Sequence, residues 1–371
     1  MAISDSPKRI YHFLLDHRLG GPHVFVKSIC EPLRDRGNYD FTIVTTGRGP
    51  ITELSLVNLR HFWFPLYALE VVINCLLIVW YGGTGKIKRK AALFHIHGAA
   101  NIAPVLGAFI LRIPVIWHFH DVVPEIRPIV KVGLAFISGI QHKLATVTEK
   151  SVEVYGLPNA KLIQAPVDLD YWQSGRVPER SAGDPFRIVN TANLNALKGQ
   201  DVLLEALSRF DGNWELSLMG ASLETHASYG ELLRIRAQEI EQDNPNCKVN
   251  FMGWQERGRI KEQLCACDVF VLPSRNEACP IALLEAIAMG KVCIASNVGG
   301  IEKVISTPEL GYLVAPEQPE MLLNALVAVR SMDQESVALM GERARKHISS
   351  DHSVSNIADK LSALYQEILG R

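Results

Sequence analysis

The 371-residue chain carries 38 Lys and Arg against 39 Asp and Glu, and 48% of it is hydrophobic with 21% charged. That is ordinary globular material, long enough for two domains, with no basic excess to call for a nucleic-acid partner. The charge is uneven, however: residues 1–165 hold 18 basic and 11 acidic side chains (+7), residues 166–371 hold 20 and 28 (−8). The halves therefore face different things, and an anionic membrane surface suits the first.

Seven cysteines, an odd number without a CxxC spacing, predict reduced thiols and a cytoplasmic protein. Cys265 and Cys267 lack the further ligands a metal site needs. At the N-terminus Lys8-Arg9 precedes only Ile10 to Leu15, too short an apolar core for a signal peptide, and the stretch reads as a first strand. Gly20-Gly21 follows, a turn that lets backbone approach a ligand, with Pro22 placed to start a helix over about 24–34. The run from His61 to Tyr81 is long enough to cross a membrane but contains Pro65, Glu70 and Asn74, and Lys86, Lys88, Arg89 and Lys90 come after it. Charge inside a bilayer is costly, so the expectation is a helix packed on a sheet, with an aromatic and basic rim touching lipid at the inner membrane face.

Strands are predicted at 9–15, 40–46, 92–97, 115–119, 145–148 and 161–164, with helices between them, including 102–111. Alternation puts His95 with His97, and His118 with His120, on one side of their strands, and His120-Asp121 falls at a strand's carboxyl end. Four histidines suggest zinc, but pairs on separate strands lack the usual ligand spacing. A structural role is expected for His95 and His118, and a place in the site for His120.

A stretch with three prolines and two glycines, 165–185, reads as a linker. A second strand series follows at 186–191, 214–219, 248–252, 269–272, 292–295 and 312–314. No GxGxxG fingerprint follows any of these strands. The expected organisation is a domain over 1–166 joined by a last helix at about 352–371, a linker over 167–185, and a domain over 186–351. Two doubly wound α/β domains would form a clamshell with a cleft.

Residues 268–300 are the most informative. Val269–Leu272 is a strand, 273–280 a loop carrying Glu277, Pro280 a first helical residue, 281–289 a helix, Gly290 its left-handed cap, and 292–295 the next strand. The helix is apolar nearly all round, so Glu285 should be buried. A buried carboxylate needs either a Lys or Arg partner or a ligand. Ligands of open α/β sheets bind at the carboxyl ends of strands beside helix N-termini that attract phosphate, and two carboxylates there suit a sugar nucleotide.

The run LPSRNEACPIALLEAIAMG, with IASNVGG after it, resembles the Glu-x7-Glu signature of the retaining glycosyltransferases of family four, which have the GT-B fold of two Rossmann-like domains. Glu277 and Glu285 match its glutamates; EACP stands where the family often has Glu-Gly-Phe-Gly. The resemblance implies a metal-independent transfer of a hexosyl unit from a UDP- or GDP-sugar to a glycan or lipid-linked acceptor, in surface polysaccharide synthesis. No cofactor is implied beyond the donor substrate. Glu277, His120 and Lys198 become the catalytic candidates. Gly20 and Gly21 become a loop over donor phosphate and acceptor, and Asp168-Leu169-Asp170 an interdomain motif without metal. Lys198-Gly199 is intact, but Asn193 stands where the family usually has Arg, and Arg275, in the loop beside Glu277, could substitute if it reaches the site, which the sequence leaves open. Gly220, Gly253 and Trp254 sit where ribose and base are seated. Ala278, Cys279, Pro280, Ile281 and Ala282 line the donor's sugar and phosphates. A GT-B sugar-nucleotide epimerase and a non-catalytic sugar-nucleotide-binding subunit are the competing readings.

Overall fold

The computed structural model describes residues 7–15, 20–37, 39–47, 52–58, 64–87, 92–157, 159–173, 183–222 and 227–370. The chain divides into two compact units, residues 1–166 with 354–371, and residues 167–353.

The first unit runs β1 (Lys8–Leu14), α1 (Gly21–Arg36), β2 (Tyr39–Thr46), β3 (Leu54–Leu56), α2 (Phe64–Gly83), β4 (Ala92–His97), α3 (Ile102–Leu111), β5 (Val115–Phe119), α4 (Arg127–Ile137), β6 (His142–Thr146), α5 (Glu149–Tyr155) and β7 (Lys161–Leu162). Its strands are all parallel, in the order β3-β2-β1-β4-β5-β6-β7. β4 and β5 are buried along their whole length, as expected for strands covered on both faces. One core contains Phe94, Trp117, Phe119 and Ile102 on the side of α2 and α3. The other contains Phe25, Ile29 and Leu33 of α1, against Ile357, Leu361, Leu364 and Tyr365 of the last helix.

The second unit runs β8 (Phe186–Thr191), α6 (Gln200–Leu207), β9 (Trp214–Met219), α7 (Ala227–Asp243), β10 (Cys247–Gly253), α8 (Arg257–Ala266), β11 (Val269–Leu272), α9 (Ile281–Ala288), β12 (Val292–Ser296), α10 (Ile301–Val304), β13 (Tyr312–Val314), α11 (Pro319–Ser331) and α12 (Gln334–His352). The last helix, α13 (Val354–Leu369), belongs to the first unit. The second sheet is also all parallel, in the order β10-β9-β8-β11-β12-β13. In both sheets the order reverses beside the first strand, between β1 and β4 and between β8 and β11. Open α/β sheets leave a crevice for ligand at the carboxyl ends of the strands there.

Several elements differ from the sequence expectation. β6 begins at His142 rather than Ala145, because pairing Val115 with His142 draws two polar residues into the ladder. β3 is three residues long, too short to show as a pattern, and exists through its pairing with β2. α1 begins at Gly21, one residue before Pro22, and α9 begins at Ile281, which leaves Pro280 at the extended capping position. Gly290 has φ +69°, a left-handed residue just past α9. None of the seven cysteines is in a disulfide.

α2 inverts the usual pattern of a surface helix. Its polar residues Glu70 and Asn74 are buried with Ile78, and the Asn74 amide closes two hydrogen bonds on the backbone of Val57. Leu66, Leu69, Val72, Leu76 and Trp80 are exposed on the other side. Lys86 lies 5.1 Å from the Trp80 ring and 5.2 Å from that of Tyr81. Residues 66–83 are long and apolar enough to cross a membrane, with 22% of that window buried. His61 to Trp63 and Lys88 to Lys90, part of the predicted lipid-facing rim, lie outside the described residues.

Candidate active site

At the β8/β11 reversal of the second sheet, two loops are locked edge to edge. Gly199, φ +66°, closes the β8–α6 loop, and a Cβ on it would lie 2.0 Å from the carbonyl oxygen of Pro273. Gly299, φ +59°, meets the same loop from the other side; its Cβ would lie 1.5 Å from the carbonyl oxygen of Glu277. Only glycine fits these contacts in that conformation. The Arg275 amide donates to Leu197 O at 2.8 Å, and that of Gly300 to Ala278 O at 3.0 Å.

This scaffold brings Lys198 Nζ to 2.6 Å from Glu277 Oε1, where the Ser274 hydroxyl also donates at 2.8 Å. Glu277 is buried, while Lys198 remains partly accessible. An ammonium has three donors, so Lys198 can hold Glu277 and still offer protons to an anion. Ser274 was missed in the sequence; its position three residues before Glu277 in the same loop was the available signal. Also missed were Thr191 Oγ1 and Asn195 Oδ1, buried at the end of β8 and in the loop after it, without a hydrogen-bond partner among the described residues. Ile281 and Ala282 are half-buried at the start of α9, whose first amides have no partner within the helix. Ala278 is buried and Cys279 half-buried beside them.

Glu285 projects from the second turn of α9 and is 8% exposed. No ion-pair or hydrogen-bond partner meets its carboxyl among the described residues, so the Lys or Arg partner weighed from the sequence is not there. Burial pushes its pKa up to about 8, against a smaller downward pull from Arg257 at the start of α8. Arg257 itself lies over the rings of Tyr171 and Trp172. At the carboxyl ends of β9 and β10, Gly220 would clash with Ala192 O if it carried a Cβ, Gly253 has φ +68°, and the Trp254 side chain is 61% exposed.

Arg275 is a correction to the sequence reading. Its guanidinium is forked onto Asp201 at 2.9 and 2.8 Å and donates to Glu317 at 2.9 Å and to Ala196 O at 2.6 Å. These partners leave it braced between loops, not free to replace the arginine missing at exposed Asn193. Burial raises the Asp201 carboxyl, but the Arg275 and Tyr229 hydrogen bonds outweigh it and hold that group below its ordinary range. Asp168 caps a turn through the Tyr171 amide at 2.9 Å.

In the first unit, Gly20 precedes the first turn of α1, and a Cβ on Gly20 or Gly21 would meet open space. Phe25 of the same helix lies edge-on to His120, 4.9 Å between centroids. His120 is the outer member of five histidines. His12 Nδ1 lies 2.9 Å from His97 Nε2, and His97 Nδ1 lies 2.8 Å from His120 Nε2. A second chain runs from Tyr365 OH to His95 Nδ1 (2.7 Å), from His95 Nε2 to His118 Nδ1 (3.3 Å), and from His118 Nε2 to Ile163 O (3.1 Å). Burial lowers the pKa of all five; for His12 and His118 it falls to about 3. The nitrogens of His12, His95 and His97, and those of His97, His118 and His120, are close enough to hold a metal. His12 joins through register, opposite His95 across β1 and β4. Asp121, beside His120, accepts from Tyr155 OH at 2.8 Å and the Ala99 amide at 3.2 Å.

This fold is GT-B, two Rossmann-like units each with an all-parallel sheet. Residues 175–347, within and just short of the whole second unit, match the family described as "Glycosyl transferases group 1". Among solved structures, Anabaena HepE in complex with UDP and glucose superposes with a TM-score of 0.76 at 19% identity, over 96% of this chain and 98% of that one. The putative colanic acid biosynthesis glycosyltransferase WcaL of Escherichia coli K12 is 26% identical over 57% of this chain and 53% of its own. The UDP-Gal:alpha-D-GlcNAc-diphosphoundecaprenol alpha-1,3-galactosyltransferase of Escherichia coli is 32% identical over 38% of this chain and 35% of its own. The chain thus spans about half the length, or less, of these curated relatives.

Proposed function

We propose that this protein is a retaining glycosyltransferase that moves a hexosyl unit from a UDP- or GDP-sugar to a glycan or lipid-linked acceptor in surface polysaccharide synthesis. The observation that carries the reading is Glu285, a buried carboxyl in the helix after β11 that has no partner among the described residues. A ribose diol supplies the two hydroxyl donors that such a carboxylate lacks. Lys198, the Ile281 and Ala282 amides and the end of α9 hold the diphosphate, and Glu277 holds hydroxyls of the donor sugar. HepE with UDP and glucose and the galactosyltransferase named for a diphosphoundecaprenol substrate support the ligand classes.

The bond from the anomeric carbon to the phosphate oxygen breaks as charge moves onto the diphosphate held by Lys198. The acceptor hydroxyl attacks from the face the diphosphate leaves, forms the new bond to the anomeric carbon, and passes its proton to a departing phosphate oxygen. His120 contacts the donor sugar. No metal is required, since the lysine and helix end carry the phosphate charge. The exposed apolar side of α2, extended by Phe109 and Ile110 of α3 and Val132 and Phe136 of α4, rests on an anionic membrane at its cytoplasmic face.

The test is transfer from a panel of nucleoside diphosphate sugars to lipid-linked acceptors, with and without EDTA. Transfer with retained anomeric configuration, unaffected by EDTA, is expected, and Glu277→Gln should lower kcat by about 10²-fold. Isomerised sugar nucleotide without acceptor would instead identify an epimerase, and binding without turnover a non-catalytic subunit. Activity lost to EDTA and restored by Mg²⁺ would point instead to Asp168 and Asp170 as metal ligands.

A further inference from the structure

We infer that His12 and His97 fix His120 as its Nδ1–H tautomer, making the free edge of that ring a hydrogen-bond donor to a sugar hydroxyl. His97 is then a positioning residue for the proposed transfer, and the choice of sugar ligand rests on that proposal; the tautomer does not.

The argument is a count of protons. Burial keeps these imidazoles neutral, so each ring has one N–H and one lone pair. Each nitrogen-to-nitrogen bond uses one of each, and a chain of such rings must run in a single direction. The chain through His95 and His118 shows the rule with its direction fixed. Ile163 O can only accept, so His118 Nε2 donates to it, His95 Nε2 donates to His118 Nδ1, and Tyr365 OH donates to His95 Nδ1.

The chain through His12, His97 and His120 has its buried end at His12 Nε2, which has no partner among the described residues while its residue is fully buried. If the chain ran inward from His120, that nitrogen would carry an N–H with no acceptor, and orphaned buried N–H groups are rare in folded proteins. Running outward, His12 Nδ1–H donates to His97 Nε2 and His97 Nδ1–H donates to His120 Nε2. The remaining proton of His120 is then on Nδ1. His120 is half-buried, and Nδ1 has no partner among the described residues. A neutral donor there orients a hydroxyl oxygen and takes no proton from it.

Long-range ¹H–¹⁵N spectra of the protein labelled on histidine test this, with His120 assigned by the signals lost in His120→Asn. A protonated Nδ1 and bare Nε2 on His120 at pH 7.5 are expected; a protonated Nε2, or an imidazolium, would overturn the inference. His97→Phe removes the donor to His120 Nε2, and free histidine prefers its Nε2–H form, so His120 should switch tautomer. His97→Gln, whose amide N–H can still donate, should keep Nδ1–H. In transfer assays the Phe variant should lose about tenfold or more in kcat and the Gln variant stay within about threefold of the parent. Should His97→Phe fail to fold, the parent spectrum and His97→Gln still decide. A stoichiometric zinc ion retained on these rings would also overturn the proposal. If no sugar nucleotide is turned over, the transferase reading fails while the spectrum still judges the tautomer.

Discussion

Burial, with no partner among the described residues, gives Glu285 a pKa of about 8, against 4.5 for the ordinary group. A carboxyl whose folded pKa is raised contributes stability that is complete below 4.5 and is lost as pH rises through 8. Each pH unit in that window removes roughly 1.4 kcal/mol. Glu285→Gln, neutral at every pH, should therefore raise the melting temperature of the ligand-free protein at pH 8, by about 2–4 °C for each kcal/mol recovered. At pH 4 the gain should nearly vanish, and an equal gain at both pH values would contradict the unpaired-carboxyl account. The sequence showed that Glu285 would be buried but left its partner open. It could not show that Arg275, so well placed in order, would be forked onto Asp201, because that depends on where two loops meet.

At the scale of elements, the geometry of the site depends on the 273–280 loop held between two glycines. Gly299→Ala puts a methyl 1.5 Å from the Glu277 carbonyl in a left-handed backbone. It should cost about 1–3 kcal/mol of stability and displace Glu277 from Lys198, lowering kcat more than denaturant resistance; a variant with unchanged turnover would contradict this role. Most strands were legible: Phe186–Thr191, Trp214–Met219 and Val269–Leu272 are compact runs bounded by polar residues or turns. β6 and β3 were misplaced or missed because pairing, not local pattern, sets their limits. His12 looked like one polar residue in an apolar strand, since only the β1–β4 register reveals its neighbours.

For the whole molecule, the basic first half and the apolar side of α2 belong to one proposal. The protein should bind vesicles containing phosphatidylglycerol, less so as salt screens attraction worth about 1 kcal/mol per basic residue. Val72→Asp with Leu76→Asp, both on the exposed side of α2, should reduce binding by tenfold or more while leaving the fold intact. Native membranes that release the protein to neither salt nor carbonate, but only to detergent, would instead show that residues 66–83 span the bilayer.

The central claim is that Glu285 grips the nucleotide while Glu277 acts on the sugar. Calorimetric titration of UDP and GDP into the parent protein, Glu285→Gln and Glu277→Gln at pH 8 tests it most directly. One diphosphate should bind the parent, Glu277→Gln should bind it nearly as well, and Glu285→Gln should bind it about 10- to 100-fold more weakly, the worth of a charge-assisted hydrogen bond. Parent-like affinity in Glu285→Gln, or its loss in Glu277→Gln, would contradict the account.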